Sequence, residues 1–147
     1  MFEKFGEFSS FREINMAAEG FKNEGEFDSI KARARETGLD EMDAEDSISG
    51  DIDELCTATT AALGRLKMEK EDSKADTNII RVLFMIAELM ATNGRDAEMF
   101  LTKGKRLDGI IEELRKEASN STQGGVGCVC GTDLELMQRI RKYYGRQ

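Results

Sequence analysis

The sequence lacks histidine, proline and tryptophan entirely, and two of these absences restrict function or fold. Histidine is the commonest general base and the commonest metal ligand, so its absence removes the usual partner for a serine, threonine or cysteine nucleophile. No pair of carboxylates stands out as a general acid and base, and we therefore predict that the chain is not an enzyme and has no catalytic residues. The absence of proline over 147 residues favours long helices that are separated by glycine turns.

Cysteine is also scarce, and three cysteines do not make a disulfide framework. Cys128 and Cys130 lie in the glycine-rich stretch GGVGCVCGT, residues 124–132. A phosphate-binding loop would need a lysine there, or a glycine in place of Cys130, and a structural zinc site needs four ligands. We interpret the stretch as a connector between helices without a metal or cofactor. A zinc site shared by two chains and a thiol or metal sensor remain alternatives. Cys56 is expected to be a small core residue within a helix.

No long hydrophobic run is present either. The longest, residues 79–90, contains Arg81 and Glu88 and is shorter than the roughly 20 apolar residues that span a bilayer. No apolar segment of the signal-peptide type follows the N-terminus. The sequence therefore predicts a cytoplasmic protein that does not insert into a membrane.

Acidic residues are abundant, and they are unevenly distributed. The net charge is −8, with −9 in residues 1–75 and +1 in residues 76–147. Residues 40–54 hold eight acids and no base, and neither register of this run matches a calcium-binding EF-hand loop. We predict that these acids bind a basic protein partner and that this half does not bind nucleic acid directly, because like charges repel. A solvated helix face is the alternative. The eight residues are Asp40, Glu41, Asp43, Glu45, Asp46, Asp51, Asp53 and Glu54.

Apolar residues recur at helical spacing along most of the chain, and no sustained strand pattern is found. The fold class is predicted to be all-α, a helical bundle of about seven or eight short to medium helices. A small acidic N-terminal helical unit, residues 1–50, would precede a helical core, residues 51–147. Capping boxes are predicted at Ser10 with Glu13 and at Thr132 with Glu135. The predicted helices include residues 51–70, opened by Asp51, and residues 76–92, which are apolar on nearly every side and would be the central helix.

The second half resembles the PcfK-like proteins of bacterial conjugative elements. The similarity lies in AEMFLTKGKRLDGIIEELRKEA, then a loop, then DLELMQRIRKYY, and the N-terminal stretches MFEKFGEFSSFREINMAAEG and GLDEMDAEDSISG resemble proteins of clostridial mobile elements. The glycine–cysteine loop and the acidic N-terminal unit depart from the short members of the family. The positions that match the family pattern are Gly104, Lys105, Leu107, Asp133, Glu135, Tyr143 and Tyr144.

The PcfK-like group includes a family of inhibitors of type II CRISPR nucleases, and this resemblance implies the function that we predict. The chain would be a non-enzymatic anti-CRISPR protein in the bacterial host cell, which binds the nuclease or its guide RNA complex and blocks DNA binding or cleavage. A conjugation accessory or structural scaffold protein of a mobile element is the alternative. Self-association of the chain is compatible with either function.

Overall fold

The computed structural model describes residues 6–74, 77–120 and 133–145. These ranges contain seven α-helices, one 3-10 helix and no strand, which confirms the all-α prediction. The 3-10 helix, Ala97–Leu101, lies between the fifth and sixth α-helices. The α-helices are α1 (Phe11–Asn23), α2 (Phe27–Glu36), α3 (Glu41–Ser49), α4 (Ala58–Asp72), α5 (Thr77–Thr92), α6 (Asp108–Asn120) and α7 (Asp133–Tyr143).

The ends of α1 and α3 follow local sequence signals. The Ser10 hydroxyl accepts a hydrogen bond from the Glu13 amide at 3.3 Å, while the Glu13 carboxylate accepts one from the Ser9 amide, so the predicted capping box is completed one residue earlier. The Asp40 carboxylate accepts a bond from the Met42 amide at 3.0 Å and opens α3. Gly50 ends that helix with a left-handed backbone, φ +87°.

The start of α4 is a correction to the sequence prediction. The helix begins at Ala58 rather than near Asp51, and the Thr57 hydroxyl caps it by accepting a bond from the Thr60 amide. Residues 51–57 stay non-helical because the Asn15 amide group pairs with the Cys56 backbone. Its Nδ2 donates to the Cys56 carbonyl at 2.8 Å, and its Oδ1 accepts from the Cys56 amide at 2.9 Å. Cys56 is buried, as expected, but it precedes the helix.

Helix α5 has nearly the predicted bounds but not the predicted surroundings. Ile86 and Leu83 are buried, as their positions in the apolar helix suggest. One side of the helix nevertheless faces solvent, since Val82, Met85 and Leu89 are 42%, 54% and 61% exposed. The core therefore covers only part of the apolar surface of this helix. Within the described ranges no helix is long and apolar enough to cross a membrane.

The buried residues form two clusters that meet along α4. The N-terminal cluster lies among α1, α2 and α3 and also includes Leu55, Cys56 and Leu101. The C-terminal cluster is built from α4, α5, the 3-10 helix, α6 and α7. Helix α4 contributes Ala61 to the first cluster and the next residue, Ala62, to the second. The division into residues 1–50 and 51–147 stays a prediction.

Two glycines allow the end of α2 to approach α4 closely. Gly38 has a left-handed backbone, φ +75°, and a Cβ at this position would lie 2.2 Å from the Gly64 carbonyl oxygen. A Cβ at Gly64 would lie 2.6 Å from the Thr37 carbonyl oxygen. Since real Cβ atoms do not approach backbone atoms so closely, only glycine allows this packing of the end of α2 on α4.

Arg65, on α4, is buried and bonds to segments that are distant in sequence. Its guanidinium donates to the carbonyl oxygens of Leu101 at 3.2 Å and Lys105 at 2.7 Å. It also forms an ion pair with Glu7, whose carboxylate accepts a bond from the Gly104 amide at 3.0 Å. The segment before α1 and the turn after the 3-10 helix are thus both fixed to α4.

Replacement of Gly64 by alanine should lower the free energy of unfolding by about 1–3 kcal/mol, because the new Cβ forces the α2–α4 contact to shift. Gly20→Ala is the matched control: Gly20 lies inside α1, where a Cβ would meet nothing within 4 Å. The control should stabilise the protein by roughly 0.5–1 kcal/mol. Urea denaturation of both variants measures the difference, and equal unfolding midpoints would contradict the close contact.

The two faces of α5 should respond differently to truncation. Ile86→Ala should cost about 2–5 kcal/mol, since a buried side chain is lost from the core. Leu89→Ala, three residues later on the exposed face, should change the stability of the isolated chain by less than about 0.5 kcal/mol. Thermal or chemical unfolding at low protein concentration checks both values. A similar loss for the two variants would show that the exposed face is covered.

Candidate functional site

The acidic segment, residues 40–54, consists of α3 and the turn that follows it. Six of its eight acids are exposed, whereas Asp43 and Asp46 are half-buried. The first acid, Asp40, is the N-cap of α3. The turn carries Asp51, which accepts a bond from the Ser49 hydroxyl at 3.0 Å, and the exposed Asp53 and Glu54.

Helix α2 brings cations to this segment, which the linear sequence did not indicate. The Arg35 guanidinium lies 2.9 Å from the Glu41 carboxylate, and the Lys31 ammonium lies 3.9 Å from that of Glu45. The acidic run is therefore free of bases in sequence but not in space. Because exposed pairs of this kind contribute little to stability, these acids can exchange partners at low cost.

The acidic segment lies close to the buried thiol of Cys56 and affects its pKa. Burial, together with the smaller effect of the nearby carboxylates of Glu54 and Asp43, raises the pKa of this thiol to about 12. The thiol is consequently protonated at neutral pH, and a protonated buried thiol is a poor nucleophile and metal ligand. Asp43 of α3 and Glu54 of the following turn are thus both close enough to Cys56 to affect its thiol.

A groove of about 590 Å³ lies between α1 and residues 47–55. Its lining includes the buried Leu55 and the acids Asp53 and Glu54, together with Met16, which is 71% exposed. Arg12 and Lys22 of α1 also contribute to its lining. Sequence reasoning missed this groove, although Met16 gave a signal, since it is an apolar residue outside the inward stripe of α1. Exposed methionines are common at surfaces that bind other proteins.

The positions that resemble the PcfK-like pattern are partly brought together. Gly104 has a left-handed backbone, φ +80°, in the turn before α6. The Lys105 ammonium donates to the Tyr143 carbonyl oxygen at 2.8 Å and lies 5.6 Å from the centre of the Tyr143 ring. The Tyr144 ring packs edge-on against Tyr143, with 5.0 Å between the ring centres, and is almost completely buried. These residues therefore join the turn before α6 to the end of α7.

The remaining family-like positions divide between core and surface. Leu107 is fully buried, and its amide donates to the Glu69 carboxylate at 2.8 Å. Asp133 and Glu135 lie exposed in the first turn of α7, away from the core. Glu135 and Tyr143 line a second groove, of about 510 Å³, between α6 and α7. The predicted cap Thr132 and the thiols of Cys128 and Cys130 lie outside the described residues.

Glu69 is a buried carboxyl whose charge is only partly compensated. It lies 3.7 Å from the Arg65 guanidinium, yet burial is the dominant influence and raises its pKa to about 7 from an ordinary value of 4.5. Burial also raises the pKa of Tyr144, and the Glu69 carboxylate adds to that effect. Among the described residues no group of three or more cysteine, aspartate and glutamate side chains is arranged to hold a metal ion.

The raised pKa of Glu69 predicts a pH dependence of stability. The folded state favours the protonated carboxyl, so the stabilising contribution is complete below pH 4.5 and is lost as the pH rises through about 7. Glu69→Gln retains an oxygen acceptor for the Leu107 amide but cannot ionise. The unfolding free energy of the wild type, relative to this variant, should fall by about 3 kcal/mol as the pH rises from below 4.5 to above 7. Denaturation at a series of pH values measures it, with the exposed Glu98→Gln as control; parallel curves for wild type and Glu69→Gln would contradict the prediction.

Comparisons with protein-family models, with curated proteins and with solved structures found no match to this chain. The resemblance to PcfK-like proteins consequently stays a prediction.

Proposed function

We propose that this chain is a non-enzymatic inhibitor that binds a basic protein partner through the acidic segment. The partner would be a type II CRISPR nuclease or its guide RNA complex in the bacterial cytoplasm, and the complex would block DNA binding or cleavage. The choice of nuclease depends on the resemblance of the second half to PcfK-like proteins. The choice of surface depends on the geometry of residues 40–54.

The observation that carries the proposal is the exposed acidic turn beside the α1 groove. Asp51, Asp53 and Glu54 are exposed, and the last two line the groove next to Met16. Charged residues around an accessible apolar side chain are the usual composition of a protein-binding surface, in which apolar contact supplies affinity and charge supplies orientation.

The physical basis is competition for the basic surface of the nuclease. Such a nuclease holds its guide and target in a positively charged channel and reads the adjacent motif with arginines. Carboxylates are strong acceptors for guanidinium groups, and they can occupy sites that would otherwise bind phosphates. Complementary charge also accelerates association, and this acceleration decreases with salt.

The acids of the turn should contribute more than those of α3. Glu41 and Glu45 already pair with Arg35 and Lys31, so a partner must displace these cations. Asp53 and Glu54 border the groove, and the described residues provide no ion pair to either of them within 4.0 Å.

Charge reversal of the turn should separate function from folding. The triple substitution Asp51→Lys, Asp53→Lys and Glu54→Lys should leave the melting temperature nearly unchanged, because exposed charges add little to stability. Association with the nuclease should slow by about tenfold or more at low salt, with a smaller difference at high salt. The measurements are binding with and without guide RNA, and cleavage of target DNA.

A matched control reverses the same number of exposed acids elsewhere. Glu98, Glu112 and Glu113 lie outside the acidic segment, and their replacement by lysine makes the same change in net charge. Inhibition that is lost only with the turn variant supports the proposal. Inhibition that survives the turn substitutions at full strength rejects the acidic turn as the binding surface, and absence of any complex with wild-type protein rejects the nuclease as the partner.

A further inference from the structure

The exposed face of α5 has the composition of a helix-pairing surface. Val82, Met85 and Leu89 follow one another at intervals of three and four residues and are each more than 40% exposed. This alternation is the spacing of the contact positions in a coiled coil. The other sides of α5 are occupied by the C-terminal cluster, which buries Leu83 and Ile86. The helix therefore has an apolar stripe directed at solvent in addition to the face that it gives to the core.

The charges beside this stripe show which helix would fit it. Arg81 and Glu88 precede Val82 and Leu89 in sequence, so they lie on the same flank of the stripe, two helical turns apart. Arg81 is exposed and Glu88 is half-buried. One flank thus carries a positive charge in the first half of the helix and a negative charge in the second half. A second copy of the helix that runs in the opposite direction presents the complementary charge at each of these positions.

We propose that two copies of this chain associate through α5, with the two helices antiparallel. In an antiparallel pair the same flank of each helix lies against its counterpart, so Arg81 of each copy faces Glu88 of the other. Two opposite-charge pairs then flank an apolar contact in which Val82 of one copy packs on Met85 of the second. A parallel pair would instead place Arg81 and Glu88 against the flank that carries Ile79 and Ile86, which offers no charge.

The contact is limited to one face of one helix, so the dimer is weak and its population depends on concentration. None of its residues belongs to the acidic segment. The dimer and the binding of a basic partner are therefore independent, and each can fail without the other.

Two charge substitutions test both the surface and the direction of pairing. Arg81→Glu makes the flank entirely negative, and Glu88→Arg makes it entirely positive. The dimer of each variant alone should have a dissociation constant about tenfold higher than that of the wild type. The reason is that both pairs between position 81 of one copy and position 88 of the other become repulsive. An equimolar mixture of the two variants should recover dimer, since every cross-pair then joins opposite charges. Analytical ultracentrifugation over a concentration series measures all three, and circular dichroism verifies that each variant is folded.

Arg12 and Glu19 provide a matched control, because they are exposed and also seven residues apart on α1. Arg12→Glu and Glu19→Arg should leave the dissociation constant unchanged, separately and mixed. A wild-type protein that remains monomeric at the highest concentration overturns the proposal. So does a dimer that is insensitive to the α5 substitutions, and so does a mixture of the two α5 variants that stays monomeric.

Discussion

Most of the architecture depends on the hydrogen bonds and the ion pair of the buried Arg65 guanidinium. A buried charge is costly unless its hydrogen bonds are satisfied, so the groups that surround Arg65 must stay in place. These groups are the Glu7 carboxylate and backbone carbonyls, among them those of Leu101 and Lys105, from segments far apart in sequence. One turn later on α4, Glu69 binds the Leu107 amide at the start of α6. A single helix thus sets the position of the N-terminal segment and of the turn before α6.

Charged residues have two distinct roles in this molecule. Inside, Arg33 stacks on the Phe8 ring with 4.3 Å between guanidinium carbon and ring centre, and Asp96 accepts a bond from Arg141 at 2.9 Å. These two contacts join chain segments that are distant in sequence. Outside, the acids of the turn after α3 remain exposed and are available to a partner. The proposed binding surface therefore centres on Asp53 and Glu54, which form no ion pair within 4.0 Å among the described residues.

The positions at which we predicted a resemblance to PcfK-like proteins are mainly structural in this chain. Lys105 and Tyr143 contact each other, Leu107 and Tyr144 are buried, and Gly104 supplies a left-handed turn. Such positions determine how α6 and α7 meet. Exposed side chains that make few contacts within the fold are better suited to bind a partner. The proposed binding surface is for this reason the acidic turn and the α1 groove.

The sequence by itself determined the features that depend on one or two helical turns. The helical spacing and the Ser10 cap act through neighbouring backbone groups, so the all-α class and the start of α1 could be predicted. The Asp40 cap and the Gly50 end of α3 are equally local. Tertiary contacts decided the rest. Asn15 binds Cys56 across 41 residues and delays the start of α4, and α2 places Lys31 and Arg35 beside acids that are base-free in sequence. Exposure of one α5 face was likewise decided by packing, because hydrophobicity does not specify how many sides of a helix the core can cover.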